Sequence, residues 1–288
     1  MLAHAILVPL ALSAMREFKI CEGGTCRRGG SKQFFSAAQA LSCTSADDVD
    51  VKLTFCLGPC PSGVAVASEG KGTFVVKQIF AGEEAASLAV ESAAEVLTNE
   101  FELDVEAPRK VLNSFLKGTD AIKAGNVNAA VASFTTVIES DVAREVMKAA
   151  RLAAADVDAA EQQLPVFTSS KTGIAAEREY ERLRPGRVRW LYEALCGRCE
   201  ARLAEGGDAN ACAALSDARE ATELCSLAGE GWYRLLDAAE ASGDEPTATA
   251  ARDELTRLGY SLEAGEEGMQ AQDAKPAMKL DYWGRPMA

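Results

Sequence analysis

Histidine is almost missing from this 288-residue chain, and His4 is its single instance. A mechanism built on a histidine general base is therefore not expected. Basic residues fall short of acidic ones, 30 Lys and Arg against 43 Asp and Glu, for a net charge of −13. Nucleic acid and anionic lipid both call for a basic footprint, so neither is expected as the main partner. No apolar run reaches the ~20 residues that cross a bilayer, so a membrane-spanning helix is not expected either. Phosphate-binding loops, dinucleotide fingerprints and nucleophile elbows are also missing. Gly23-Gly24 and Gly29-Gly30 are too irregularly spaced to form one.

What remains is ordinary globular material, with 48% hydrophobic and 25% charged residues. At ~100–200 residues per domain the length suggests two domains. Nine cysteines is a high count, and the number is odd and the spacing uneven. Such cysteines bind metal or pack in a core more often than they form disulfides. Leu2 to Ala14 is apolar and ends in Leu-Ser-Ala, like the apolar part of a signal peptide, but no basic residue precedes it. Residues 1–15 are thus read either as a targeting remnant or as an N-terminal extension packed on the core.

Residues 16–100 read as a small α+β unit. Arg16 to Ile20 is a strand, followed by a Gly-rich loop. Lys32 to Leu41 has helical spacing, with Ser31 where an N-cap belongs. Val49, Val51, Leu53 and Phe55 alternate with polar residues as in a half-buried strand. Gly63–Ser68 and Thr73–Ile79 are two further strands joined by Glu69-Gly70-Lys71-Gly72, a hairpin signal. Glu83 to Leu97 is a helix with acidic residues in its first turn. The order β-α-β, then β-β-α, resembles the minimal thioredoxin-like arrangement.

From residue 108 to 262 the pattern is helical and Ala-rich. Helices are expected at Lys110–Ala124, Val127–Ser140, Val142–Gln163, Ala175–Leu183, Arg187–Ala204, Ala209–Leu227, Gly231–Ala241 and Pro246–Leu258. Gly118, Gly125, Ala130 and Phe134, and again Trp232, Leu235, Gly243 and Ala248, fall on one grid. That grid resembles the ~34-residue tetratricopeptide repeat, in a degenerate form. In such a unit a small residue lets two helices approach and an aromatic fills the groove beside it. A generic helical bundle would carry the same periodicity. Residues 263–288 read as an acidic linker and an aromatic tail.

Four cysteines carry the chemistry. Cys21 and Cys26 form C-E-G-G-T-C, and Cys56 and Cys60 form C-L-G-P-C. Each pair is expected on a loop directly after a strand, with glycine allowing the backbone to bend around a buried object. Four thiolates suit a soft metal, either zinc or an iron–sulfur cluster.

Cys21-x4-Cys26-Arg27-Arg28-Gly29-Gly30-Ser31, a long spacer, and Cys56-Leu-Gly-Pro-Cys60-Pro-Ser-Gly resemble the thioredoxin-like [2Fe–2S] ferredoxins. The spacing is similar to that in the 24-kDa-type subunit of respiratory complex I and of NAD-reducing hydrogenases. The resemblance covers residues 16–100 and implies a [2Fe–2S] cluster held by Cys21, Cys26, Cys56 and Cys60. It also implies one-electron transfer, which needs no acid, base or substrate pocket. The family usually continues C-x-x-G-P or C-x-x-A-P after the last ligand, whereas here the proline follows Cys60 directly as Pro61. The helical half has no counterpart in that subunit, so the role in complex I does not carry over.

The expected function is an electron carrier, with no catalytic residue, docked to a protein partner through its helices and tail. The alternatives are an accessory or assembly subunit of a large photosynthetic or respiratory membrane complex, with a structural or absent cluster, and a zinc-stabilised scaffold. Ferredoxin-like domains fused to repeats resemble plastid proteins, which points to the stroma or the stromal face of the thylakoid; the mitochondrial matrix is the alternative. Arg27 and Arg28 beside Cys26 are read as solvated surface residues, with stabilisation of a reduced cluster as the alternative. Cys43 is read as core or as a partner-facing thiol. Cys196-Gly-Arg-Cys199 falls mid-helix, where no N-terminal dipole activates a thiol, and is read as packing, as are Cys212 and Cys225. Trp190, Trp232 and Tyr233 are read as repeat-packing residues.

Overall fold

A computed structural model describes residues 16–44, 49–58, 63–68, 72–77, 84–161, 188–226 and 228–260, with backbone alone for 152–161. The expectations for residues 1–15, for the helix at 175–183 and for the segment 263–288 lie outside these residues.

The first part is a mixed four-stranded sheet with helices. It comprises β1 (Arg16–Cys21), α1 (Gly24–Arg28), α2 (Ser31–Leu41), β2 (Val49–Thr54), β3 (Gly63–Ser68), β4 (Gly72–Lys77) and α3 (Ala85–Phe101). The sheet order is β2-β1-β3-β4. β1 runs parallel to β2, with Phe18 opposite Val51, and antiparallel to β3, with Phe18 opposite Ser68. β3 and β4 pair antiparallel from Gly63 opposite Lys77 to Ser68 opposite Gly72, as the hairpin signal between them requires. Phe18 and Ile20 are fully buried on the central strand, as are Phe34, Ala38 and Leu41 on α2. The Phe18 ring meets Phe34 edge-on at 6.1 Å and Phe101 at 5.0 Å, which ties β1, α2 and α3 together.

Two local expectations are corrected. The N-cap of α2 is Gly30 (φ 94°), not Ser31, which is the first helical residue. A left-handed turn there favours glycine, and the Ser31 hydroxyl ends up buried without a hydrogen-bond partner. Helix α3 has no acidic residue in its first turn, and Glu84 at its N-cap makes no side-chain cap bond.

The rest is helical: α4 (Glu106–Lys123), α5 (Val127–Ile138), α6 (Asp141–Glu161), α7 (Arg189–Glu205), α8 (Asp208–Leu224), α9 (Gly229–Ser242) and α10 (Glu245–Arg257). The main packing runs α4–α5, α5–α7, α7–α8, α8–α9 and α9–α10, so helical hairpins stack on their neighbours. Asn126 and Asp244 cap α5 and α10 by accepting the N–H of Ala129 and Thr247. A hydrophobic cluster runs unbroken from Phe18 and Phe34 through Val111 and Leu112 to Phe134, Trp190 and Leu195. The architecture is therefore an α+β unit followed by an all-α unit, with apolar contact between them. Among the described residues no helix is long and apolar enough to cross a membrane.

Within the helices Asp217 is buried, and its carboxylate accepts from Arg198 Nη2 and Arg202 Nη1, each at 2.7 Å, and from Arg198 Nε at 3.0 Å. Arg198 also reaches the Thr135 hydroxyl, which links α7 to α5 as well as to α8.

Candidate metal centre

β1 and β2 are parallel neighbours, so their C-terminal ends lie at one edge of the sheet, with Cys21 opposite Thr54. Cys21 is the last residue of β1 rather than part of the loop. The loop after it contains a short helix, α1, which carries Cys26 on its buried side. Cys56 follows β2 by two residues. Strand pairing alone thus brings the two cysteine-bearing segments together.

Cys21 and Cys26 are fully buried with Ala65 of β3, and Leu57 packs against them. The Gly23 N–H donates to Cys21 Sγ at 3.3 Å. Leu57 N–H also hydrogen-bonds to Cys21, as do the thiols of Cys26 and Cys56. Burial by itself would push the Cys21 thiol up, but these four contacts outweigh it and hold it below the usual thiol range. Cys56 is the exposed member, on the outer side of the loop. Gly23 sits between the segments: a Cβ there would lie 3.3 Å from Cys21 Sγ and 3.5 Å from Cys56 Cβ.

Three of the four expected ligands are therefore neighbours, and Cys60 lies outside the described residues. Among the described residues no group of three or more His, Cys, Asp or Glu side chains is set as a metal-holding cluster. The three thiols do have the donor set of a soft-metal site. Two of these sulfurs are buried and one is exposed, and backbone N–H groups at Cys21 stabilise thiolate charge.

The flanking charges are on the surface. Arg27 and Arg28 are exposed, and Arg27 pairs with Glu22 at 2.7 Å. The other cysteines divide. Cys196 and Cys199 are buried in α7, where burial pushes the Cys196 thiol well up and the Cys199 thiol to about 12. That agrees with a packing role and leaves neither as a nucleophile at neutral pH. Cys225 is buried at the end of α8 and Cys43 is half-buried against the core. Cys212 is exposed on α8, a correction to the packing role expected for it. Its place in the Ala-rich run mimics an inward position, but the face it occupies points to water.

Sequence reasoning did not find Gly23 as the residue between the thiols, nor Leu57 as a second backbone donor. A glycine between two cysteines was the available signal for the first; a backbone N–H leaves no signal for the second. No family model, curated protein or solved structure matches the chain.

Proposed function

We propose that the sheet unit is a thioredoxin-like ferredoxin domain and that the chain is a one-electron carrier. Its [2Fe–2S] cluster would be held by Cys21, Cys26, Cys56 and Cys60. The observation that carries this reading is the convergence of Cys26 and Cys56 on Cys21, with the N–H groups of Gly23 and Leu57 on the same thiol. The strand order β2-β1-β3-β4, with β3 antiparallel to β1, supports the fold assignment. A binuclear iron–sulfur cluster supplies reversible one-electron reduction when bound. The chain's own residues set the surroundings. Cys21 and Cys26 are buried, two backbone donors favour negative charge on the Cys21 sulfur, and Cys56 is exposed. The stacked helices would dock the carrier to a protein partner, with a plastid as the compartment.

Purification without oxygen, followed by assay of iron and acid-labile sulfide and by EPR after dithionite reduction, tests this. The expected result is two irons and two sulfides per chain and a reducible signal lost in Cys56→Ser. A colourless protein carrying zinc would replace the carrier with a zinc-stabilised scaffold, a reading that the proximity of Cys26 and Cys56 to Cys21 also supports. A protein that holds no metal yet co-purifies with a large membrane complex would favour the accessory-subunit reading.

A further inference from the structure

A cavity of about 580 Å³ opens between α2, α4 and α7, where the sheet unit meets the helices. That volume falls within the ~300–1,000 Å³ of small-molecule sites. Phe35, Leu53, Val90, Leu112, Phe115 and Trp190 give it apolar walls. It follows α2 from Lys32 to Ala40, a span of about 12 Å at the helical rise.

Its charges are unevenly partnered. Glu193 accepts from Arg189 at 2.7 Å, and Glu22 from Arg27 at 2.7 Å. Lys32, in the first turn of α2, has no ion-pair partner among the described residues. No side chain caps that first turn, so the positive end of the helix adds to the Lys32 charge. In the apolar wall the indole N–H of Trp190 is buried without an acceptor.

We propose that this cavity binds an amphipathic monocarboxylate, its hydrocarbon chain along the apolar walls and its carboxylate at Lys32. The apolar side of the cavity takes the chain, and one cation without an ion-pair partner at the start of α2 selects a single anionic head. Glu22, Arg189 and Glu193 also line the cavity, but each acid already accepts from an arginine, which leaves Lys32 as the charge open to a ligand head. The site uses none of the cysteines and stands apart from the electron-carrier reading.

Isothermal titration of the full chain with dodecanoate, below micelle-forming concentrations, tests the proposal, with dodecyltrimethylammonium as the tail-matched cation. The expected result is saturable one-to-one binding of dodecanoate, about tenfold or more tighter than the cation. Lys32→Glu, checked by circular dichroism for an unchanged fold, is expected to weaken dodecanoate about tenfold or more and to remove the preference. Ser36→Trp, placed at an exposed lining position, is expected to fill the mouth and abolish binding of both. The proposal is overturned by an absence of saturable binding. It is also overturned by equal affinity for the two amphiphiles, or by dodecanoate binding that survives either substitution unchanged.

Discussion

The ring of Phe134 on α5 occupies the space that a side chain on Gly118 of α4 would need: a Cβ built at Gly118 would lie 2.7 Å from Phe134 Cε1. Gly197 of α7 meets the same ring from another side, where its Cβ would lie at 2.8 Å. One aromatic thus joins three helices, two of them separated from the third by a long stretch of chain. A methyl group at either glycine must displace the ring, and the ring is fully enclosed. Gly118→Ala is expected to cost about 1–3 kcal/mol and Phe134→Ala about 3–5 kcal/mol, measured by urea denaturation. Gly118→Ala in a Phe134→Ala background is expected to cost far less than alone, because the methyl then enters vacated space.

Asp217 holds two guanidinium groups away from bulk water. Asp217→Ala leaves Arg198 and Arg202 facing one another without their shared carboxylate, and a loss of about 3–5 kcal/mol is expected. Asp244→Ala, which breaks an exposed pair with Arg219 but also removes the cap of α10, is expected to cost much less than Asp217→Ala. Thermal unfolding followed by far-UV circular dichroism separates the two.

Alkaline stability follows from the thiols of α7. Burial keeps Cys199 protonated to about 12, against an ordinary value of 9.0, and Cys196 is raised in the same direction by burial. Above pH 9 the unfolded chain releases these protons and the folded chain does not, so the unfolded state gains. Stability is expected to be unaffected by these groups below pH 9 and to fall as the pH rises toward 12. Urea midpoints across that range should show a shallower decline in a Cys196→Ala/Cys199→Ala chain. An identical slope in both proteins would refute the assignment.

Two adjacent glycines offer a local test of the thiol site. A Cβ on Gly23 would press at 3.3 Å on Cys21 Sγ, whereas on Gly24 the nearest atom is Arg28 Nη1 at 3.9 Å. Gly23→Ala is expected to lower the metal bound per chain, and Gly24→Ala to leave it unchanged, both read by elemental analysis of the purified proteins. Equal metal content in the two variants would place the ligands elsewhere.

Much of the secondary structure was legible because it is local. The alternation of Val49 and Val51 with Asp50 and Lys52 gives a strand with one buried face, whereas Phe55, expected to continue that face, lies beyond the strand's end and is exposed. Of the expected helices within the described residues, each appears within a few residues of its expected limits, since period and terminal breakers act over one or two turns. The failures at Ser31 and Glu84 are also local, but they turn on backbone conformation: Gly30 adopts the left-handed conformation that glycine permits and takes the N-cap position itself, one residue before Ser31. α1 escaped notice because five residues are too few to show a period.

The amino-acid order by itself determined the succession of strands and helices, the division into an α+β part and a helical part, and the placing of Cys21 and Cys56 beside two strand ends. Periodicity, turn residues and spacing carry that information along the chain. Only the tertiary structure decided that β1 and β2 lie side by side and bring those thiols together. It alone seated Phe134 between Gly118 and Gly197, shared Asp217 between two arginines, and opened a cavity at Lys32. Each of these joins residues distant in sequence, and such contacts are selected by close packing and burial of the whole molecule, which no short window of sequence records.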